Sequence, residues 1–216
     1  MTYRIGKKQV YVIAEAGVNH NGKLQLAKKL VKTAKKAGAN AVKFQLYNTE
    51  ELATQSSKLA NYQKKNVKNA KSQFELLKKY ELSKSFLKAI KNHCHKIKID
   101  FMLSIFDNHS LGMLNEIKYR NVIKIPSGEI NNYFLLKEVN FKKNKFIIST
   151  GMSDYEDIVN CINMISKRKV YSFDKKKNRL KILNNKFLNL IKKKITLLHC
   201  TTDYPASHKH LNLSVI

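Results

Sequence analysis

Val122-Ile-Lys-Ile-Pro-Ser-Gly-Glu129 is the stretch from which the fold of this chain is read. Val122, Ile123 and Ile125 make a β-branched apolar strand, and Pro126 stops it because proline cannot continue a ladder. Gly128 then turns the chain, and Ser127 and Glu129 are presented just past the strand end. Lys124 is out of place in such a strand. A buried cation is costly without an anion to meet. Lys43, in Ala41-Val-Lys-Phe-Gln45, stands the same way in a second apolar strand. Two lysines at the ends of two apolar strands point to a small anionic ligand.

The surrounding chain repeats this unit. Strands are predicted at 10–16, 41–45, 100–106, 121–126, 145–150 and 195–200. The 3.6-residue spacing of Leu24, Ala27, Leu30, Val31 and Ala34 predicts a helix over 23–37, ended by Gly38. Further helices are predicted at 74–80, at 83–96 capped by Ser83, at 111–117, at 133–139, and at 155–166 capped by Ser153. The segment 47–69 is polar, lysine-rich and too long for a plain connector. Strand followed by helix, six times over, means parallel strands with crossover helices, in an open sheet or a (β/α) barrel.

Polar residues decide between them. Glu15, Lys43, Ser104, Lys124–Glu129, Ser149–Thr150 and His199–Thr202 all fall at C-terminal strand ends, as they do around the mouth of a barrel. An open sheet would gather them at one switch point, often with a glycine-rich phosphate loop, and there is no such loop here. The expected fold is α/β, a parallel TIM-type barrel with about six of the eight βα units of a complete one.

Composition bounds the rest. The 216 residues, 43% of them hydrophobic, suffice for a sizeable core. No apolar run reaches the ~18–20 residues of a membrane span. The N-terminus lacks the apolar region of a signal peptide, and Cys94, Cys161 and Cys200 are widely spaced. A reduced, cytoplasmic setting is expected. The net charge of +27 comes from 42 basic residues, of which only Arg4, Arg120, Arg168 and Arg179 are arginine. The lysines are scattered over every predicted helix, as on solvated faces, and specific nucleic-acid binding is not expected.

Five segments then carry a resemblance. They are Ala14-Glu-Ala-Gly-Val-Asn-His-Asn-Gly22, Val42-Lys-Phe-Gln45, Lys124-Ile-Pro-Ser-Gly-Glu-Ile-Asn-Asn132, Ser149-Thr-Gly-Met152 and Leu197-Leu-His-Cys-Thr-Thr-Asp-Tyr-Pro205. Together they resemble the sialic acid synthase family, which includes N-acetylneuraminate and legionaminic acid synthases. The resemblance implies a transferase of carbohydrate biosynthesis. It would condense phosphoenolpyruvate with the open-chain aldehyde of an N-acetylated hexosamine such as N-acetylmannosamine, giving a nine-carbon 2-keto sugar acid. It assigns Lys43, Ser104, Lys124, Ser127, Ser149, Thr202 and Tyr204 to phosphoenolpyruvate, and Glu15 and Glu129 to the sugar as catalytic carboxylates. It also implies a divalent metal, Mn²⁺ or Mg²⁺, acting as a Lewis acid on the aldehyde.

Several features depart from that family. Its metal-binding histidines lie in motifs of the form Ser-Asp-His-Thr and Glu-Lys-His-Phe near strands seven and eight, and neither occurs here. Strands seven and eight and the C-terminal antifreeze-like domain are missing from the sequence, and 169–194 is a basic insertion. The chain is thus read as the N-terminal part of a synthase barrel, expected to be inactive alone. A complementing C-terminal chain or a homodimer partner would complete it. The alternatives are an inactive remnant that still binds phosphoenolpyruvate and a basic polyanion-binding protein on the old scaffold. Smaller features are read as structural. His93-Cys94-His95 sits on a helix, where neighbouring residues share no face. His199 and Cys200 are expected to pack at the close of a buried strand, while His20 and Asn21 either form a loop or touch substrate.

Overall fold

In a computed structural model, residues 4–5, 8–59, 72–202 and 205–216 are described. They fall into two compact units, 1–119 and 120–216. The first opens with a short antiparallel pair, β1 (Arg4–Ile5) and β2 (Lys8–Gln9). Three parallel strands follow, β3 (Ile13–Gly17), β4 (Ala41–Leu46) and β5 (Asp100–Ile105), paired in chain order. Helix α1 (Leu24–Lys36) connects β3 to β4 and buries Ala27, Val31 and Ala34. It ends where the sequence places Gly38, whose φ of +84° suits a residue without a Cβ. Between β4 and β5 run α2 (Thr49–Leu52), α3 (Gln73–Tyr80) and α4 (Lys84–Lys96). Ser83 caps α4 by accepting from the Phe86 N–H, as predicted. The unit closes with α5 (Asn108–Glu116).

Alternation along β4 sets two faces of this sheet, while β5 is buried on both. Val42, Phe44, Leu46, Phe101, Leu103 and Ile105 are buried, while Lys43 and Gln45 point the other way and stay half-buried. Each fully buried Leu, Ile or Phe contributes about 1.5–3 kcal/mol. The core therefore far outweighs the ion pairs, which are mostly exposed. Asp107 adds a polar clamp. Buried at the start of α5, it accepts from the Ser110 N–H at 2.6 Å and from the Asn48 N–H at 2.7 Å, tying the end of β4 to that helix.

The second unit repeats the scheme with β6 (Val122–Ile125), β7 (Lys145–Ser149) and β10 (Ile195–Leu198), where β7 pairs in parallel with both others. Between them lie α6 (Tyr133–Leu136), α7 (Tyr155–Ser166), the antiparallel hairpin β8 (Tyr171–Asp174) with β9 (Arg179–Ile182), and α8 (Asn185–Lys194). Six parallel strands, each but the last followed by a crossover helix, make this an α/β chain with five βα units and a sixth strand among the described residues.

Several expectations are corrected. The cap of α7 is Asp154, not Ser153; it exchanges hydrogen bonds with Asp157 in a reciprocal capping box. Helix α6 stops at Leu136, short of the expected 139. The basic insertion 169–194, given no elements from sequence, forms the β8–β9 hairpin plus α8. Its helix is anchored by Phe187 against Phe141, which stacks on Phe146 of β7. Strand β10 is also less buried than predicted. Beyond Ile195 its residues are exposed, because among the described residues it has β7 as its one strand partner. No described helix is long and apolar enough to cross a membrane.

Candidate active site

In the first unit, Glu15 of β3 is the register partner of Lys43 of β4. The Lys43 ammonium forms an ion pair with the Glu15 carboxylate and donates to the Ser104 hydroxyl of β5 at 3.2 Å. Three neighbouring strand ends thus supply a cation, an anion and a hydroxyl to one point. The Lys43 side chain is 13% exposed and that of Glu15 is 49% exposed, so the cation is held while the carboxylate reaches outward. A bulge between Glu15 and Gly17 shapes this corner. Gly17 has φ +51°, and a Cβ there would stand 3.4 Å from Glu15 Oε1. That contact is an ordinary one, and it is the positive φ at the bulge that favours glycine here.

His20, in the loop after β3, is fully buried between Phe86 and Phe44, at 5.3 and 6.1 Å between ring centroids. Its Nδ1 accepts from the Gly22 N–H, which leaves the ring proton on Nε2. That atom has no partner among the described residues, and burial pulls the His20 pKa down. Of the two roles open to His20, loop former is the one this position supports.

The second unit gathers a separate cluster. Pro126 starts a 3-10 turn over Ser127–Glu129, as the strand-stop reading anticipates, although Gly128 needs no positive φ there. The Ser127 hydroxyl lies 3.7 Å from the Cys200 thiol, which donates to the Leu198 carbonyl at 3.6 Å. Burial raises the Cys200 pKa. The Ser127 and Ser149 hydroxyls and the Gly151 and Thr150 N–H groups more than offset this, leaving the thiol below its usual range. Gly151 fits closely here. A Cβ on it would stand 3.0 Å from the Thr202 methyl and 3.1 Å from Ser127 Oγ.

Of the predicted residues, Glu15, Lys43 and Ser104 meet directly, Ser127 and Thr202 flank Gly151, and Ser149 is buried at the end of β7. Lys124 is half-buried on β6, opposite Ile147 in the ladder. Glu129 accepts from the Asn132 amide at 2.8 Å. Tyr204 lies outside the described residues. Cys200 and Gly151 are the members that the sequence reading missed. Cys200, expected to pack, is half-buried beside Ser127, and His199 bonds the Leu211 carbonyl through Nε2 at 2.7 Å. Among the described residues no three His, Cys, Asp or Glu side chains converge to hold a metal ion. The described residues therefore do not supply a ligand set for the divalent metal that the resemblance implies.

Comparison with known proteins gives a consistent result. Residues 30–216 match the NeuB family. The N,N'-diacetyllegionaminic acid synthase of Campylobacter jejuni is 39% identical over 97% of this chain and 56% of its own length. The enzyme of the same name from Legionella pneumophila is 38% identical over 95% and 52%. Among solved structures, the N-acetylneuraminic acid synthetase of Leptospira borgpetersenii, in complex with citrate, superposes with a TM-score of 0.71 at 29% identity. It covers 100% of this chain and 65% of that one. The chain spans about half the length of the curated relatives it matches.

Proposed function

The chain belongs to the NeuB family, and from that premise we propose that it serves a sialic or legionaminic acid synthase-type condensation in sugar-acid biosynthesis. In this reading C3 of phosphoenolpyruvate attacks the aldehyde carbon of an N-acetylated hexosamine, and the aldehyde oxygen takes up a proton. Water adds to the cationic C2, and the resulting adduct loses phosphate to leave the 2-keto acid. The names of the relatives, all synthases of such sugar acids where an acid is named, support it.

The observation that carries the reading is Lys43 held between Glu15 and Ser104. A largely buried ammonium fixed by two strand neighbours is pre-oriented for an anion, so little ordering is left for binding to accomplish. An incoming phosphate or carboxylate would exchange for Glu15, whose half-exposed side chain has room to turn. Glu15, once released, would face the sugar and its proton. In the same reading Lys124, Ser127, Ser149, Thr202 and Tyr204 supply further donors to phosphoenolpyruvate, and Glu129 orients sugar hydroxyls. Such a site works by orientation and fixed charge.

Thermal unfolding with phosphoenolpyruvate, with and without Mn²⁺, tests this. Ligand at 100-fold over its dissociation constant adds about 2.7 kcal/mol of stability. A shift present in the natural chain and lost in Lys43→Met supports the assignment. No shift from a folded chain removes it. Binding without turnover, even after the segment that completes the relatives is added, would leave a phosphoenolpyruvate-binding protein and remove the condensation.

A further inference from the structure

We propose that the cleft between α6 and the C-terminal end of α7 is a second ligand site, one that takes a nucleotide. The cavity measures about 670 Å³, within the range of small-molecule sites, and Tyr133, Lys137, Met164, Lys167, Arg168 and Lys169 line it. Four of these six side chains are cationic, and no carboxylate lines the space. None of the four forms a salt bridge among the described residues.

Capping of α7 does not account for the charge. Two of the last four carbonyls of that helix are already met by backbone donors, Met164 by the Lys167 N–H and Asn163 by the Arg168 N–H, and none of the four cationic side chains bonds to the other two. Lys137 comes from a different element, the end of α6. The turn that carries the cations is fixed rather than loose. Asn163 Oδ1 accepts from the Val170 and Tyr171 N–H groups, and its Nδ2 donates to the Tyr171 carbonyl. The Arg168 guanidinium lies 4.8 Å from the Phe187 ring centre, which limits its swing. Cations on a braced turn match phosphate oxygens. The ring of Tyr133 and the thioether of Met164 give the same cavity an apolar wall, suited to a flat base. A bare phosphate would leave that wall unused.

Equilibrium titration with a fluorescent adenine nucleotide, at fixed ionic strength, tests the site. One nucleotide per chain is expected, weakened at least tenfold by Lys137→Glu with Lys169→Glu. The same charge change on α1, Lys29→Glu with Lys32→Glu, should alter it less than twofold. Tyr133→Ser should weaken the nucleotide but not inorganic triphosphate. Saturating phosphoenolpyruvate should leave nucleotide binding unchanged. Equal losses in the two charge-reversed pairs would reduce the effect to the bulk charge of +27 and overturn the proposal. So would absence of saturation, competition by phosphoenolpyruvate, triphosphate binding as tight as the nucleotide, or preferential binding of an RNA oligomer through the same lysines.

Discussion

Glu15 and Lys43 stand opposite one another in the parallel register of β3 and β4, and their charges join at the strand ends. In a parallel pair, register partners point to the same face. Once the apolar residues of β4 commit Val42 and Phe44 to the core, Lys43 has one direction left. The bulge at Gly17 lets Glu15 meet it before the chain turns away.

Lys43→Met should abolish the stabilisation by phosphoenolpyruvate while changing the unfolding free energy without ligand by no more than about 1 kcal/mol. The Glu15 carboxylate it abandons is half-exposed and can be solvated. Urea unfolding with and without ligand separates the two effects. A collapse of stability in Lys43→Met would make the lysine structural instead.

Gly151→Ala should cost about 1–3 kcal/mol, because the new methyl meets Thr202, Ser127 and the Cys200 carbonyl together. Gly128→Ala, one strand earlier, should stay within about 0.5 kcal/mol, since a Cβ there meets nothing within 4 Å. Similar urea midpoints for the two variants would contradict the close fit at Gly151.

Cys200 should alkylate with iodoacetamide well before Cys94 or Cys161 at pH 7. Burial pushes both of those thiols up to about 12, whereas donors around Cys200 hold it low. Ser127→Ala should slow Cys200 selectively, as read by peptide mass spectrometry. An unchanged rate would mean that the Ser127 hydroxyl does not stabilise the thiolate.

Stability should fall as pH drops below about 6.5, the ordinary histidine value. Burial holds the folded-state pKa of His20 below that value, so under pH 6.5 the unfolded chain takes a proton that the folded chain resists. The loss is at most about 1.4 kcal/mol per pH unit for one group, and it ends once the folded form also titrates. His93 is lowered too, by burial and then by Lys32 and Lys28, and adds the same sign. His20→Leu should flatten the urea midpoint between pH 7.5 and 5.5. An equally steep dependence in that variant would assign the effect elsewhere.

Much of the fold is legible in local pattern. Ala27, Val31 and Ala34 announce α1, Ser83 announces the start of α4, and Pro126 announces the end of β6. Each of these acts over a few residues. The cap of α7 misled because Ser153 and Asp154 are both good N-caps. Asp157, three residues after Asp154, decides the matter by completing the reciprocal pair. The 169–194 segment was harder. Its lysines hide a hairpin whose strands are exposed or half-buried, so hydrophobic alternation is weak there.

The candidate site divides along the same line. Sequence alone determined which strands end in polar residues, that Lys43 and Lys124 break apolar runs, and that the family motifs stand in order. Those facts depend on residue type and spacing. Tertiary structure alone decided that Lys43 meets both Glu15 and Ser104, residues 28 and 61 positions away. It likewise decided that Cys200 meets Ser127, and that Lys137 joins Lys167, Arg168 and Lys169 at one cavity beside α7. Register between strands is fixed by the packing of their buried faces against helices. A contact between distant residues is therefore a property of the whole core, and no single stretch of sequence contains it.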